Sequence, residues 1–253
     1  MLELKNISVQ FGGIKALNNV SFKIEEKVLF SIIGPNGAGK TSLLNVISGR
    51  YKPQKGRLFF KGDDITNVHP NKRPHFGIGR TFQNLALFNH MTVLENIYIG
   101  RHHLQKSNFF SGSIFWLFGS QKEEITNRRE AEKILDFLEI SNIRKSMAGT
   151  LSYGLRKRVE LARAIAIQPT LILLDEPMAG MNQEEKEDMA RFIIDLNREW
   201  NITVVMIEHD MGVVMDISKR IAVLDFGEKI AEGSPQEIIK NKRVQEAYLG
   251  QEN

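Results

Sequence analysis

A glycine-rich loop follows directly on a short apolar run near the N-terminus of the 253-residue chain. Residues 28–33 are almost continuously apolar, which is typical of a buried strand. The next eight residues fit the pattern G-x-x-x-x-G-K-[ST] and read Gly34-Pro35-Asn36-Gly37-Ala38-Gly39-Lys40-Thr41. Between a strand and a helix that is expected to begin at Lys40, this pattern predicts a loop that wraps the phosphates of a nucleotide.

Each residue type in this loop has a physical reason. Small residues let successive backbone N–H groups close around phosphate oxygens, and the start of the following helix adds positive potential. Lys40 supplies a mobile cation and Thr41 a hydroxyl for Mg²⁺. A chance glycine-rich turn is the alternative, which the flanking strand and helix disfavour. The predicted nucleotide contacts are Gly34, Pro35, Asn36, Gly37, Ala38, Gly39, Lys40, Thr41 and Ser42.

Further apolar runs predict the fold class. Residues 2–9 and 20–24 alternate between polar and apolar, whereas residues 171–174, 203–207 and 221–224 are continuous apolar runs. Helical patterns separate the later runs, and strands that alternate with helices form parallel sheets. We therefore expect an α/β fold with a mostly parallel core sheet and an antiparallel β region at the N-terminus.

One segment interrupts this alternation. From about residue 85 to residue 150 the sequence is amphipathic and helix-rich, with a looser aromatic stretch at 107–120. The C-terminal part has a hairpin signal at Asp225-Phe226-Gly227 and then a capping box, Ser234-Pro235-Gln236-Glu237. We expect a single domain over 1–253, with a core of 1–84 and 151–253, an inserted helical subdomain at 85–150 and a helical tail at 234–253.

Composition excludes several classes of protein. The chain has no cysteine, so it holds neither a disulfide framework nor a thiolate metal site. Lys and Arg total 34 and Asp and Glu total 30, a net charge of +4 with both signs interspersed, which disfavours a protein that coats nucleic acid. No apolar run approaches the ~20 residues that cross a bilayer. The N-terminus resembles a strand more than a secretion signal, so we expect any membrane attachment to depend on a partner.

Two carboxylates follow the apolar run at 171–174. Ligands of parallel sheets bind at the carboxyl edge, so Asp175 is expected beside the phosphate loop, where it would contact Mg²⁺ through water. Glu176 points to the other side of the pleat and is predicted to polarise the attacking water. The alternative is an ordinary strand end whose acidic residues face solvent.

One further motif distinguishes among nucleotide-binding families. Leu151-Ser152-Tyr153-Gly154-Leu155, followed by a basic amphipathic segment, resembles the signature motif of the ATP-binding subunits of ABC transporters. The resemblance implies a P-loop NTPase core that binds ATP and Mg²⁺ in a head-to-tail dimer, with Ser152 and Gly154 on the γ-phosphate held by the other subunit. A serine and a glycine at a helix N-terminus also form an anion site on physical grounds. Taken alone, Ser152 could simply cap a helix.

Three more residues fit the same resemblance. Gln83, in Arg80-Thr81-Phe82-Gln83, is similar to the glutamine that contacts Mg²⁺, the attacking water and the transmembrane partner. His209 is similar to the histidine that reaches the γ-phosphate, and Phe11 to the aromatic residue that stacks on adenine. Each has an ordinary alternative: a loop amide, a surface histidine and a core aromatic side chain. The implied catalytic residues are Glu176, His209, Lys40 and Gln83, and the implied metal contacts are Thr41, Gln83 and Asp175.

The resemblance narrows to the ATP-binding subunits of branched-chain amino acid importers. It rests on Thr81-Phe82-Gln83-Asn84, Met91-Thr92-Val93-Leu94-Glu95-Asn96, the long insert, Gly180-Met181-Asn182 and Ala247-Tyr248-Leu249-Gly250. It implies a second, related ATPase subunit, two permease subunits and an external binding protein. It also implies a peripheral position on the cytoplasmic face of the plasma membrane.

The sequence departs from the family pattern at two places. Tyr153 and Leu155 flank Gly154 where a second glycine and a glutamine are usual, and Asn182 stands where an aspartate is usual. Asn182 is also a good helix cap, with Glu185 three residues later. Neither change removes a group that hydrolysis needs.

Two alternative functions and the role of one aromatic surface stay open. A soluble ABC ATPase acting on nucleic acid or ribosomes is compatible with the net charge, although no aromatic-interleaved basic tract supports it. A small-molecule kinase would leave the signature and the His209 segment unexplained. The aromatic residues at 109–118 would dock on permease loops or on the bilayer, or else pack on the subdomain's own helices.

Overall fold

Two β-sheets form the core of the computed structural model, which describes residues 1–81, 86–104 and 115–249 but not the side chains of 103, 115–123 and 249. The four-stranded antiparallel sheet has the order β2-β1-β4-β5, and the six-stranded sheet has the order β10-β9-β3-β8-β7-β6. The strands are β1 (Leu2–Phe11), β2 (Ile14–Ile24), β3 (Leu29–Ile33), β4 (Lys55–Phe60), β5 (Asp63–Asp64), β6 (Ile78–Arg80), β7 (Leu171–Asp175), β8 (Thr203–Ile207), β9 (Arg220–Asp225) and β10 (Glu228–Gly233). The predicted α/β class with a mostly parallel core is confirmed.

The parallel strands bring their carboxyl ends to one edge of the larger sheet. β3 pairs with β8 and with β9, and β7 pairs with β8 and with β6, all in parallel. β3, β7 and β8 are buried along their whole length, because the sheet is covered on both faces. The loops that leave β3, β7 and β8 therefore converge on one edge.

Eight α-helices are found in the described residues. They are α1 (Lys40–Ile47), α2 (Val93–Arg101), α3 (Phe115–Phe137), α4 (Tyr153–Ala166), α5 (Gln183–Arg198), α6 (Met211–Ile217), α7 (Pro235–Ile239) and α8 (Lys242–Leu249). Short 3-10 turns occupy Pro70–Phe76, His102–Leu104, Ser141–Ile143 and Ala148–Thr150. None of the described helices is long and apolar enough to span a bilayer.

The helices from α2 to α4 pack together beside the larger sheet. Gly100 of α2 allows a close approach to α4, since a Cβ on that residue would lie 2.5 Å from the carbonyl oxygen of Arg163 on α4. Between residues 85 and 150, the described part of the chain contains the helices α2 and α3, as the amphipathic pattern predicts. The boundary at residue 151 stays a prediction, because α4 follows that boundary and still packs against α2 and α3.

The C-terminal part follows the turn and capping signals closely. β9 and β10 form an antiparallel hairpin whose turn residues Phe226 and Gly227 have φ values of 41° and 80°. Ser234 caps α7 in a reciprocal capping box with Glu237, and Pro235 is the first residue of the helix. α8 follows and packs on α7 and β10.

Candidate active site

The phosphate loop connects β3 to α1 and depends on glycine at two points. Gly34 has a φ of 147°, and a Cβ there would lie 2.0 Å from the carbonyl oxygen of Leu224. Gly39 has a φ of 98°, and its Cβ would lie 2.4 Å from the carbonyl oxygen of Ala16. Side chains at these positions would push the loop off the two neighbouring strands, so only glycine fits the observed backbone.

Lys40 lies inside the loop rather than in solvent. Its ammonium donates to the carbonyl oxygens of Gly34 at 2.7 Å and Pro35 at 2.9 Å. Burial lowers the pKa of Lys40, while the nearby carboxylates of Glu176 and Asp175 act in the opposite direction. The cation is thus held where phosphate oxygens would enter the loop.

Thr41 and Asn36 are exposed around the same loop, and Ser42 is half-buried in the first turn of α1. The hydroxyl of Thr41 is therefore accessible, as its expected metal contact requires. Gln83, the remaining predicted metal contact, lies outside the described residues.

Asp175 ends β7 in an almost fully buried position. Its side chain is 2% exposed, and Oδ2 accepts a hydrogen bond from Nη2 of Arg80 at 3.1 Å. Burial raises the pKa of Asp175, and the guanidinium of Arg80 lowers it. Among the described residues Oδ1 has no hydrogen-bond partner. A buried carboxylate oxygen that has no partner among the described residues and lies near Lys40 fits the oxygen ligands that Mg²⁺ prefers.

Arg80 is a part of this site that the sequence pattern does not single out. Its Nη1 donates to Oδ1 of Asn45 at 2.8 Å and to Oγ of Ser48 at 2.5 Å, both near the end of α1. One guanidinium thus ties the helix that follows the phosphate loop to the carboxylate that ends β7. A charged residue at the end of the short buried strand β6 is the only sequence signal for this role.

Glu176 and His209 form a hydrogen-bonded pair across two strand ends. Oε1 of Glu176 lies 2.8 Å from Nε2 of His209. Glu176 has a φ of 51°, and its backbone N–H donates to the carbonyl oxygen of Ile207 at 3.0 Å. Lys157 of α4 donates to the carbonyl oxygen of Glu176 at 3.3 Å. The loops that leave β7 and β8 therefore hold a carboxylate and an imidazole together at the carboxyl edge of the sheet.

Glu208 is a second site residue that the sequence analysis missed. It is 4% exposed and accepts backbone N–H groups from Met178 at 2.8 Å and His209 at 3.1 Å. Burial raises its pKa, and the two N–H groups oppose that shift. Glu208 therefore bridges the loops that carry Glu176 and His209. An acidic residue directly after an apolar strand and next to a histidine is a sequence signal that could have identified it.

Ser152 and Gly154 lie at the start of α4, where Ser152 is exposed and Gly154 is buried. Oγ of Ser152, an exposed residue, accepts the backbone N–H of Leu155 at 3.4 Å, so Ser152 is the helix cap. A Cβ on Gly154 would lie 2.1 Å from Oε1 of Glu185, a residue of the capping box that Asn182 forms at the start of α5. The capping role anticipated for Asn182 is confirmed. The contact of Ser152 and Gly154 with a second subunit stays a prediction.

Phe11 is not a core residue. It ends β1 with 47% of its surface exposed and meets the ring of Tyr51 edge-on, with 5.0 Å between the ring centroids. An exposed ring supported on one side can stack on a planar base. The aromatic residues at 109–118 lie outside the described backbone or side chains, so their docking surface stays a prediction.

A phosphate loop after β3 and paired carboxylates after β7, on the same edge of a parallel sheet, define the class of phosphate-loop nucleotide hydrolases. The model of the ABC transporter family matches residues 17–179, and a branched-chain amino acid ATP-binding cassette transporter model matches residues 228–252. The chain belongs to the ABC transporter family as an ATP-binding subunit, and its enzymatic activity is that of an ABC ATPase.

Similar proteins and structures cover almost the whole chain. The high-affinity branched-chain amino acid transport ATP-binding protein BraF of Pseudomonas aeruginosa is 39% identical over 99% of this chain and 98% of its own length. LivG of Escherichia coli, another high-affinity branched-chain amino acid transport ATP-binding protein, is 36% identical over 99% of this chain and 98% of its own length. The crystal structure of a nucleotide-free ATP-binding cassette from an ABC transporter has a TM-score of 0.85, 36% identity and 98% coverage of both chains. An ATP-binding cassette in its ADP conformation has a TM-score of 0.84 with 34% identity and 99% coverage of both chains.

Proposed function

We propose that the chain is the ATP-hydrolysing subunit of an importer for branched-chain amino acids. The match of residues 228–252 to a branched-chain amino acid transporter model carries this proposal, because it is more specific than the ATPase core. The descriptions of BraF and LivG, which match the chain end to end, support it as well. They do not favour a soluble ATPase that acts on nucleic acid.

The chemistry is assigned to the residues at the carboxyl edge of the sheet. The backbone N–H groups of the loop from Gly34 to Thr41 hold the phosphates, and Lys40 exchanges its two carbonyl partners for phosphate oxygens. Glu176 orients a water molecule for in-line attack on the γ-phosphate, and His209 steadies both Glu176 and the developing charge. Phe11 supports the adenine ring.

A Mg²⁺ ion is proposed as the cofactor. Bound there, it would neutralise charge on the β- and γ-phosphate oxygens. Thr41 and Gln83 would supply oxygen ligands, and Asp175 would contact the ion through water. Oδ1 of Asp175, which has no hydrogen-bond partner in the part of the chain that the structure describes, supports this assignment.

The second half of the site is assigned to another ATPase subunit. Ser152 is exposed and Gly154 is buried at the N-terminus of α4, where the first N–H groups of the helix and the helix dipole favour an anion. In a head-to-tail dimer they would contact the γ-phosphate bound by the partner, so binding of ATP would close the dimer. Two transmembrane permeases and an external binding protein complete the proposed assembly, in which this chain lies at the cytoplasmic face of the membrane.

Affinity capture tests the assembly. Tagged Glu176→Gln protein is recovered from solubilised membranes with ATP and Mg²⁺, and Lys40→Ala protein serves as the control that does not hold nucleotide. Two permeases and a second ATPase with the first variant, reduced with the control, would support the proposal. Recovery of ribosomal proteins or nucleic acid would contradict it.

Uptake tests the substrate. Cells that carry the assembly with the unchanged chain are expected to accumulate radiolabelled leucine, isoleucine and valine, whereas cells with the Glu176→Gln chain are not. Accumulation of another solute in place of these three would leave the ATPase assignment intact and overturn the substrate.

A further inference from the structure

Lys157 of α4 is a buried cation beside the active site that the proposed chemistry does not use. Lys157 is only 3% exposed, and lysine is seldom buried without a partner. Its Nζ donates a hydrogen bond to the backbone carbonyl oxygen of Glu176 at 3.3 Å. Burial of an ammonium costs free energy unless the group is hydrogen-bonded. The buried charge is therefore directed at the peptide group of the residue that is assigned to orient the attacking water.

The backbone of Glu176 has a conformation that needs support. Its φ of 51° lies in the left-handed region, which residues other than glycine keep only where their surroundings hold them. The N–H of Glu176 donates to the carbonyl oxygen of Ile207 at 3.0 Å. Its carbonyl oxygen accepts the N–H of Ala179 at 3.3 Å as well as Nζ of Lys157. This backbone aims the carboxylate, whose Oε1 lies 2.8 Å from Nε2 of His209.

Tyr153 covers the contact between Lys157 and Glu176. Tyr153 lies four residues before Lys157 on the same side of α4, and the centre of its ring is 5.9 Å from Nζ of Lys157. A Cβ on Gly180, in the loop that follows Glu176, would lie 3.1 Å from Cε1 of Tyr153, so the ring rests on that loop. Tyr153 stands where the family pattern usually has a second glycine, and a glycine has no side chain to cover the ammonium.

We propose that Lys157 is a positioning residue for ATP hydrolysis. Its ammonium holds the peptide group of Glu176 so that the carboxylate faces His209 and the attacking water, and the ring of Tyr153 keeps solvent away from this contact. Lys157 acts through Glu176 and not on the phosphates. The effect on hydrolysis rests on the proposed role of Glu176, whereas the effect on the pair of Glu176 and His209 does not.

The first experiment observes this pair in the nucleotide-free subunit. Nitrogen-15 NMR of protein with labelled histidine gives the chemical shifts of the two ring nitrogens of His209, which His209→Gln assigns. Glu176→Ala provides the shifts of His209 without its partner. Lys157→Met keeps the length of the side chain but removes the donor, and its His209 shifts are expected to move most of the way to those of Glu176→Ala. Unchanged shifts would overturn the proposal.

Chemical modification gives a closely matched pair of side chains at position 157. The chain has no cysteine, so Lys157→Cys introduces a single thiol that can be alkylated in denaturant before refolding. Bromoethylamine then builds a side chain with an ammonium at the length of lysine, and bromopropane builds one of the same length that ends in a methyl group. The aminoethyl form is expected to keep the His209 shifts of the unchanged protein, and the propyl form is expected to lose them. Equal shifts in the two forms would refute the role of the ammonium.

The second experiment measures hydrolysis by the subunit assembled with its partners. Lys157→Met is expected to lower kcat at least about tenfold and to leave the KM for ATP unchanged, because the carboxylate is misaligned while the nucleotide contacts remain. The aminoethyl form of Lys157→Cys is expected to recover most of kcat, and the propyl form is not. A higher KM with an unchanged kcat would contradict a positioning role. Absence of turnover in the unchanged protein would instead count against the proposed function.

Stability separates positioning from a merely structural role. An apolar side chain of similar volume in place of a buried charge is often neutral or stabilising, and the carbonyl oxygen of Glu176 keeps the N–H of Ala179. Lys157→Met is therefore expected to unfold at the same urea concentration as the unchanged protein, or at a higher one. Lys133→Met is the control, since the Lys133 side chain is 59% exposed and pairs with Glu130 at 2.8 Å. It should change neither kcat nor the His209 shifts. A loss of kcat that only accompanies unfolding of Lys157→Met would make Lys157 a structural residue and overturn the proposal.

Discussion

Glu176 lies with its Oε1 2.8 Å from Nε2 of His209, at the ends of the neighbouring parallel strands β7 and β8. The register of these strands places Asp175 opposite Ile207, so Glu176 and His209 are adjacent in space although they are 33 positions apart in the chain. Glu208 fixes the same two loops through backbone N–H groups. The pair is thus positioned by the strand register.

Glu176→Gln should separate hydrolysis from binding. The amide keeps the shape of the side chain but is a much weaker base, so turnover is expected to fall by about 100-fold or more while ATP binding is retained. Turnover is measured by phosphate release, and binding with a fluorescent ATP analogue. Glu184→Gln, at an exposed position in α5, is the control and should keep normal turnover. Near-normal turnover of Glu176→Gln would refute the assignment.

Gly34→Ala should destroy the phosphate loop. The new Cβ would lie 2.0 Å from the carbonyl oxygen of Leu224, and the φ of 147° is strained for any residue with a side chain. Stability is expected to fall by more than ~3 kcal/mol, with loss of nucleotide binding. Gly13→Ala is the control, because a Cβ there meets nothing within 4 Å and its φ is not positive. Urea unfolding measures both variants, and equal stabilities would contradict the close approach.

Asn182→Ala should cost stability through a lost helix cap. Oδ1 of Asn182 accepts a hydrogen bond from the backbone N–H of Glu185 at 2.9 Å. In return, Oε2 of Glu185 accepts one from the backbone N–H of Asn182 at 3.1 Å. Removing the cap is expected to destabilise the protein by about 1 kcal/mol. Asn182→Asp keeps the acceptor and is expected to keep the stability. If the two variants unfold at the same urea concentration, the cap does not contribute.

Much of the site could be predicted from sequence because its residues adjoin strand ends. The phosphate loop, Asp175 and Glu176 each follow an apolar run directly, and parallel strands present their carboxyl ends to one edge. Helix caps such as Asn182 are equally local, since the capping partner is three residues away. Local patterns of this kind specify both the element and the functional side chain.

The remaining contacts could not be predicted, because they join residues that no local pattern relates. Arg80 and Asp175 are 95 positions apart, and their pairing depends on the parallel register of β6 and β7. The spacing of apolar residues along a segment indicates only that the segment is buried. It does not indicate which charged side chain of a neighbouring strand will lie beside it. The roles assigned to Ser152 and Gly154 need a second subunit, so they stay predictions.

Tyr248 links the C-terminal helix α8 to the phosphate loop, and this contact is expected to stabilise the folded protein. The phenol of Tyr248, in α8, packs against the core, and its oxygen accepts the backbone N–H of Gly34. Tyr248→Phe removes that acceptor and keeps the ring, so it is expected to lower stability by about 1 kcal/mol. Tyr153→Phe, which removes the hydroxyl of an exposed ring, is the control and should leave stability nearly unchanged.

The same residue predicts a dependence on pH. Burial raises the pKa of Tyr248 from 10 to about 12, so the folded protein holds this proton over a pH range in which the unfolded chain releases it. The contribution of this proton to the free energy of unfolding is fully present below pH 10 and is lost as the pH rises towards 12. Absorbance at 295 nm should therefore show one phenol that ionises near pH 12 in the folded protein and near pH 10 in denaturant. Tyr248→Phe should remove this late component. A late component that survives the substitution would assign it to another tyrosine and contradict the burial of the Tyr248 phenol.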